Sequence, residues 1–358
     1  MISSILMGSA GEIALAAVLL AVGIALIVKG GDFFVDAASW IAEVLGISPL
    51  IVGATVVSVA TTLPELIVSI IATARGTVEI AVGNAVGSVV ANLGLIMAMS
   101  LLFMPGKVDR KQYLFKSIVL LVASLNLLLV GWFGGMLDGK HIMSVGLGVV
   151  ILELFVVFFA ENVIEAVKMM KNPVAGGLSA DSTGATAQVV EGASEEAAEE
   201  PVKKDKKTII INILKFIGGA AGIIGGAELL VSNGQKLALA AGIPEGVIAV
   251  TLVAIGTSLP ELVTTITAIV KKQSSISVGN IIGANIIDMT LILPVCAMVS
   301  GGTLVFPRQA ILFDLPFCLG LSAIAVLPML FTKKFHRWQG IALFAVYAAY
   351  LTLRILYT

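Results

Sequence analysis

Beginning at Gly46, the chain reads Gly-Ile-Ser-Pro-Leu-Ile-Val-Gly-Ala-Thr-Val-Val-Ser-Val-Ala-Thr-Thr-Leu-Pro-Glu-Leu. Beginning at Gly242, it reads Gly-Ile-Pro-Glu-Gly-Val-Ile-Ala-Val-Thr-Leu-Val-Ala-Ile-Gly-Thr-Ser-Leu-Pro-Glu-Leu. The offset, 242 − 46 = 196, persists without a gap beyond these stretches. Glu65 falls on Glu261, Pro64 on Pro260, Gly83-Asn84 on Gly279-Asn280, Gly87 on Gly283, and Asn92 on Asp288. Each copy places a carboxylate beside a proline inside a long apolar run. Such an acid marks a functional site, because a charge in lipid is costly unless it is used.

Working outward, the 358 residues are 58% hydrophobic and 13% charged, with mean hydropathy +1.06. That composition excludes an ordinary soluble domain, and the apolar runs exceed the roughly 20 residues needed to cross a bilayer. The pattern predicts an all-α polytopic membrane protein of ten transmembrane helices, at about 11–42, 46–74, 78–103, 112–133, 142–170, 209–240, 242–270, 276–299, 308–331 and 336–357. The first 13 residues hold no Lys or Arg, so they read as a short external tail rather than a signal peptide. Cys296 and Cys318 lie in apolar runs and read as core residues. His141 and His336 stand far apart in short loops and make no metal pair.

The chain divides into a first half at 1–170, a loop at 171–208 and a second half at 209–358. The loop carries Glu191, Glu195, Glu196, Glu199 and Glu200, then Lys203, Lys204, Lys206 and Lys207, with almost no large apolar residue. It is expected to be a disordered, solvated linker. Placing it in the cytoplasm also brings Lys107, Arg110, Lys111, Lys271, Lys272, Lys333, Lys334 and Arg337 to that side, as positive-inside orientation requires. Both termini then lie outside. Five spans per half is an odd number, so the second half enters the membrane in the opposite sense. Inverted repeats of this kind belong to secondary transporters, with the site at the midplane where the repeats meet.

The proline in each motif removes a backbone hydrogen bond and crowds the carbonyl a turn earlier, near Ala60 and Thr61 or near Gly256 and Thr257. Helices broken at the midplane are the expected result. Freed carbonyls, Thr and Ser hydroxyls and one carboxylate per half make a set of hard oxygen ligands, suited to Ca2+ or Na+ rather than to soft metals. Ionised, Glu65 and Glu261 give a charge of −2, which one Ca2+ or two Na+ neutralises. Ions competing for shared ligands imply exchange rather than conduction. Asp288 is a third acid whose protonation state stays open. Gly83/Gly87 and Gly279/Gly283 are small-xxx-small pairs that let helices approach closely. Asn84 and Asn280 either bridge helices or line a cavity. Asp32 and Asp36 are expected to pair with Lys29 or to face a vestibule. Glu161 and Glu165 are expected at the cytoplasmic surface, and Asp314 has no assigned role.

These residues resemble the α-repeats of the cation/Ca2+ exchanger superfamily, most nearly its prokaryotic Na+/Ca2+ exchangers. The resemblance rests on Thr257-Ser-Leu-Pro-Glu261 and Gly279-Asn-x-x-Gly-x-Asn285, each echoed in the first half, and it covers essentially the whole chain. It implies that Glu65 and Glu261 bind Ca2+ with Thr61 and Thr257. It implies flanking Na+ sites at Ser58, Thr62 and Ser88 in one half and at Ala254, Ser258 and Ala284 in the other. Asn92 and Asp288 would line the middle, and the first and sixth spans would slide to alternate access.

Two departures stand out. The first repeat has Ala60-Thr61-Thr62 where the family reads Gly-Thr-Ser, and Ala284 stands where serine is common. Asp288 resembles K+-dependent members, and H+/Ca2+ exchangers have related motifs. The expected partners are therefore Ca2+ and Na+, with H+ or K+ as alternatives, and the lipid bilayer. No cofactor and no nucleic-acid partner is expected. An intramembrane aspartyl enzyme and a passive cation channel are the competing classes, and both account less well for duplicated Pro-Glu motifs ringed by hydroxyls.

Overall fold

A computed structural model describes residues 10–137, 140–171, 205–241 and 258–357. The linker expected at 171–208 and the N-terminal tail fall almost entirely outside them. The chain rises first as α1 (Ala10–Leu45), which ends where Gly46 turns left-handed at φ +65° and frees the next segment to reverse. Helix α2 (Pro49–Ala74) opens on Ser48, whose hydroxyl accepts from the Leu50 amide at 3.3 Å, with Pro49 in the first turn. Then follow α3 (Val78–Phe103), α4 (Arg110–Phe133) and α5 (Val145–Lys171). After the linker come α6 (Lys206–Ala240), α7 (Leu259–Val270), α8 (Ser274–Val299), α9 (Ala310–Thr332) and α10 (Arg337–Tyr357).

Among the described residues, eight helices are long and apolar enough to cross a membrane. Helix α7 is shorter, and much of the span expected at 242–270 lies outside the described residues. The ends of the other helices lie within three residues of the expected spans. Helix α6 starts earlier than expected because Asp205 caps it, accepting from the Thr208 amide at 3.3 Å and hydroxyl at 2.6 Å. That hydroxyl bond, chiefly, lowers the exposed Asp205 carboxyl below its ordinary range.

Helix α2 is not broken at Pro64, as the proline had suggested: it stays α-helical from Ser58 to Ala74. Its departure from α geometry lies earlier, in a π-helical turn at Gly53–Val57. Two further π turns, Asn92–Met97 in α3 and Asp288–Ile292 in α8, begin at positions one offset apart. In the second half Pro260 stands in the first turn of α7, where its missing N–H costs nothing.

Helices α3 and α8 are the most buried, while α1, α5 and α6 are peripheral. Between α2 and α8 the backbones nearly touch. A Cβ on Gly279 would sit 2.5 Å from the Leu50 carbonyl, and one on Gly283 2.5 Å from that of Ala54. Gly279 and Gly283 therefore serve close helix packing across the two halves, whereas a Cβ on Gly83 or Gly87 would meet nothing within 4 Å, so the first-half pair does not pack as expected. Helices α1 and α6 run antiparallel against each other. Gly23 meets Gly226, Gly30 meets Gly219, and the Phe34 and Phe216 rings lie 4.6 Å apart.

Short antiparallel strands tie loops together. Gly106–Lys107 pairs with Lys334–Phe335, and Lys140–Ser144 pairs with both Met136–Leu137 and Thr303–Val305.

Candidate ion-binding site

The repeated acids end up in the interior. Glu65, Glu261 and Asp288 are each 0% exposed, and Asn92 is 1%. Glu65 lies on α2 one turn beyond Thr61 and Thr62, so all three share the inner face of the helix. Glu261 lies in the first turn of α7, next to Ser258 at its N-terminus. Glu65 and Asp288 both neighbour Glu261.

The hydroxyls cross between halves. Thr62 of α2 donates to Glu261 Oε1 at 3.3 Å. Ser88 of α3 donates to Glu65 Oε1 at 3.4 Å, and its oxygen lies 2.6 Å from that of Ser258. Thr61 donates to Asn280 Oδ1 of α8 at 3.1 Å. Asn84 spans the Glu65 carbonyl at 3.2 Å and the Ser69 hydroxyl at 2.9 Å. Both motif asparagines thus bridge helices, and Asn280 does so within the site. Ser58 is fully buried and donates to the Thr55 carbonyl at 3.2 Å. Thr257 and Ala254 lie outside the described residues.

These bonds leave the acids partly unmatched. Among the described residues, Glu65 Oε2, Glu261 Oε2 and both Asp288 oxygens have no hydrogen-bond partner, nor do Asn92 Oδ1 and Asn285 Oδ1. Buried oxygens of this kind are expensive in a protein interior. Oxygens left over in this way are of the kind that a hard cation would satisfy. No three His, Cys, Asp or Glu side chains among the described residues converge as a metal cage. A cation held here must therefore also draw on hydroxyl, amide and carbonyl oxygens.

Other charges settle elsewhere, partly against expectation. Asp32 and Asp36 pair not with Lys29 but with Lys271, whose Nζ lies 3.5 Å and 2.6 Å from their carboxylates. Glu165 pairs at 2.9 Å with Lys116, which is fully buried. Asp314 accepts from Arg354 and from the Tyr350 hydroxyl, each at 2.9 Å, tying α9 to α10. None of these partners was readable from spacing, since each pair joins two different helices. Cys296 and Cys318 are buried free thiols.

The fold and the site together define a helical membrane protein whose core is built from duplicated acid, amide and hydroxyl positions. A family model for sodium/calcium exchanger proteins matches residues 15–162 and again 211–356, and the matches begin 211 − 15 = 196 residues apart. The chain belongs to the sodium/calcium exchanger protein family. It is similar to the sodium/calcium exchanger MaX1 of Methanosarcina acetivorans, with 31% identity across 93% of this chain and 96% of that one. It is also similar to a membrane protein of Methanocaldococcus jannaschii, with 32% identity across 91% of this chain and 93% of that one. Its fold matches the sodium-calcium exchanger NCX_Mj soaked with 10 mM Na+ and zero Ca2+, with a TM-score of 0.73 and 28% identity over 95% of this chain and 99% of that one.

Proposed function

We propose that this protein is a secondary transporter that exchanges Ca2+ for Na+ by alternating access at a carboxylate site near the membrane midplane. The observation that carries the reading is the pair of fully buried glutamates, one per half, each with an unpartnered oxygen and a hydroxyl donor. Glu65 and Glu261 hold Ca2+, helped by Thr61 and Thr257. Ser58, Thr62 and Ser88 serve Na+ in the first half, and Ser258 and the Ala254 backbone serve it in the second. Asn92 and Asp288 line the centre. Two carboxylates balance one Ca2+ or two Na+. Asp288, a buried third acid, favours a further coupled cation, H+ or K+.

The architecture in this reading is ten spans in two inverted five-helix repeats, 1–170 and 209–358, joined by a cytoplasmic linker at 171–208. Support comes from the antiparallel packing of α1 on α6, where the contacts are reciprocal. Gly23 and Gly30 meet Gly226 and Gly219, which are Gly30 and Gly23 displaced by one offset. Reciprocity of this kind is the signature of a two-fold axis. Support for the orientation, a multi-pass protein of the cell membrane with both termini outside, comes from the loops. Lys107 and Lys334, assigned to one side by charge, sit on paired strands.

The test is flux. Vesicles loaded with Ca2+ should release it when an opposing Na+ gradient is applied. Release that follows a pH gradient and ignores Na+ would replace the Na+ reading with H+ exchange.

A further inference from the structure

The turns after α2 and α7 are copies of one another. Arg75 and Lys271 close their helices with φ −85°, ψ 0° and φ −86°, ψ 1°. The Arg75, Gly76 and Thr77 amides donate to Ile71, Thr73 and Ala72, and the Lys271, Lys272 and Gln273 amides donate to Thr267, Ile269 and Ala268, each one offset away. The surroundings of the two turns are not copies. Lys271 grips α1 through Asp36 at 2.6 Å, the Asp32 carboxylate at 3.5 Å and the Asp32 carbonyl at 3.3 Å. One offset on, Asp32 becomes Glu228 and Asp36 becomes Ser232, both on α6. Yet Arg75 and Glu228 form no ion pair with each other among the described residues, and both are exposed.

The apolar contacts beside these turns differ in the same sense. Gly31 of α1 lies over Val263 and Thr267 of α7, which are each 9% exposed. Their counterparts on α2, Ile67 and Ile71, are 53% and 45% exposed. Helix α1 is therefore closed on α7 while α6 stands off α2. Helices α1 and α6 are locked to each other through glycine contacts, so closing one side and opening the other is a single displacement of the pair.

From this asymmetry we infer that the two ion pairs are alternating latches. Lys271 with Asp32 and Asp36 holds the arrangement seen here. Arg75 with Glu228 and Ser232 forms in the opposite one, when the α1–α6 pair shifts to cover Ile67 and Ile71. The inference rests on the inverted-repeat reading and adds to it the residues that hold each end state. The first latch has two carboxylates and the second has one, so the arrangement seen here is the favoured one at rest.

The test uses the full-length protein in lipid, with Cys296 and Cys318 replaced by alanine, and needs no assumption about which ion is carried. Asp36→Cys with Lys271→Cys, and Glu228→Cys with Arg75→Cys, are each treated with a short bifunctional thiol reagent. Both pairs should cross-link. The first cross-link should keep a cysteine at Ile67→Cys reactive to a soluble thiol reagent, and the second should protect it and expose Val263→Cys. Without cross-linking, Lys271→Gln should raise labelling at Val263→Cys about fivefold. The charge-swapped protein carrying Asp36→Lys and Lys271→Asp should restore the original labelling. Failure of the 75–228 pair to cross-link under every ion condition, including those that lower 36–271 cross-linking, overturns the second latch. Unchanged labelling in Lys271→Gln overturns the first. Ca2+ flux without Na+ dependence would leave both results standing and correct only the proposed function.

Discussion

Helix α3 and helix α8 hold the same place in the two halves, yet they carry different chemistry into the core. Where α3 presents Ser88 and Asn92, α8 presents Ala284 and Asp288, and both helices pass into a π-helical turn at the second of these residues. The helix and π-turn starts are duplicated and these side chains are not. The second half has lost a hydroxyl and gained a buried acid. In the proposed reading, the duplicated helices position the site, while single substitutions within them set its charge.

Of the three buried acids, the two glutamates are the pair kept identical in both halves, so changing either should have the largest effect. Glu65→Gln or Glu261→Gln should lower Ca2+ flux by about a hundredfold or more, since one buried charge opposite a cation is worth several kcal/mol. Preserved flux in a folded Gln variant would remove that residue from the ligand set. The acid–amide difference comes next. Asp288→Asn makes the halves alike and should change the Na+, K+ or H+ dependence of flux by about tenfold, about one charge-assisted contact. If the ion dependence is unmoved, Asp288 plays no part in coupling.

The seam between the halves should respond through stability. Gly283→Ala drives a Cβ against the Ala54 carbonyl and the Ser58 hydroxyl. A loss of about 2 kcal/mol, read as a lower thermal midpoint in detergent, is expected. Gly225→Ala, facing open space, should match the parent or exceed it slightly. Equal midpoints for the two variants would mean that α2 and α8 do not pack as described. The smallest effect belongs to Ala284→Ser, which supplies a hydroxyl at the buried position that matches Ser88. About a threefold gain in apparent Na+ affinity is expected, worth one modest hydrogen-bonding group. A fall in affinity would show that the added oxygen crowds the site instead.

Much of this was legible in the residues themselves. The Pro-Glu motifs located both acids, and hydropathy placed the helix ends to within a turn. The motif glycines were read as packing positions, which holds for Gly279 and Gly283 and fails for Gly83 and Gly87, where a Cβ would meet nothing within 4 Å. The proline was over-read. One lost hydrogen bond at Pro64 does not break a helix whose inner face packs on α3 and α8, and the irregular turn falls at Gly53–Val57 instead. The partners of Lys271, Lys116 and Asp314 were also out of reach. Each joins helices that lie close only after the bundle assembles.

The sequence by itself determined that two copies of one acid-bearing unit sit in apolar helices, because a chain this hydrophobic must bury its backbone in helices and a repeated carboxylate there demands a partner. The tertiary structure alone decided which hydroxyls from one half reach the acid of the other, and that α1 closes on α7 while α6 stands off α2. Those contacts depend on distances between helices far apart in the chain, and no local spacing encodes them.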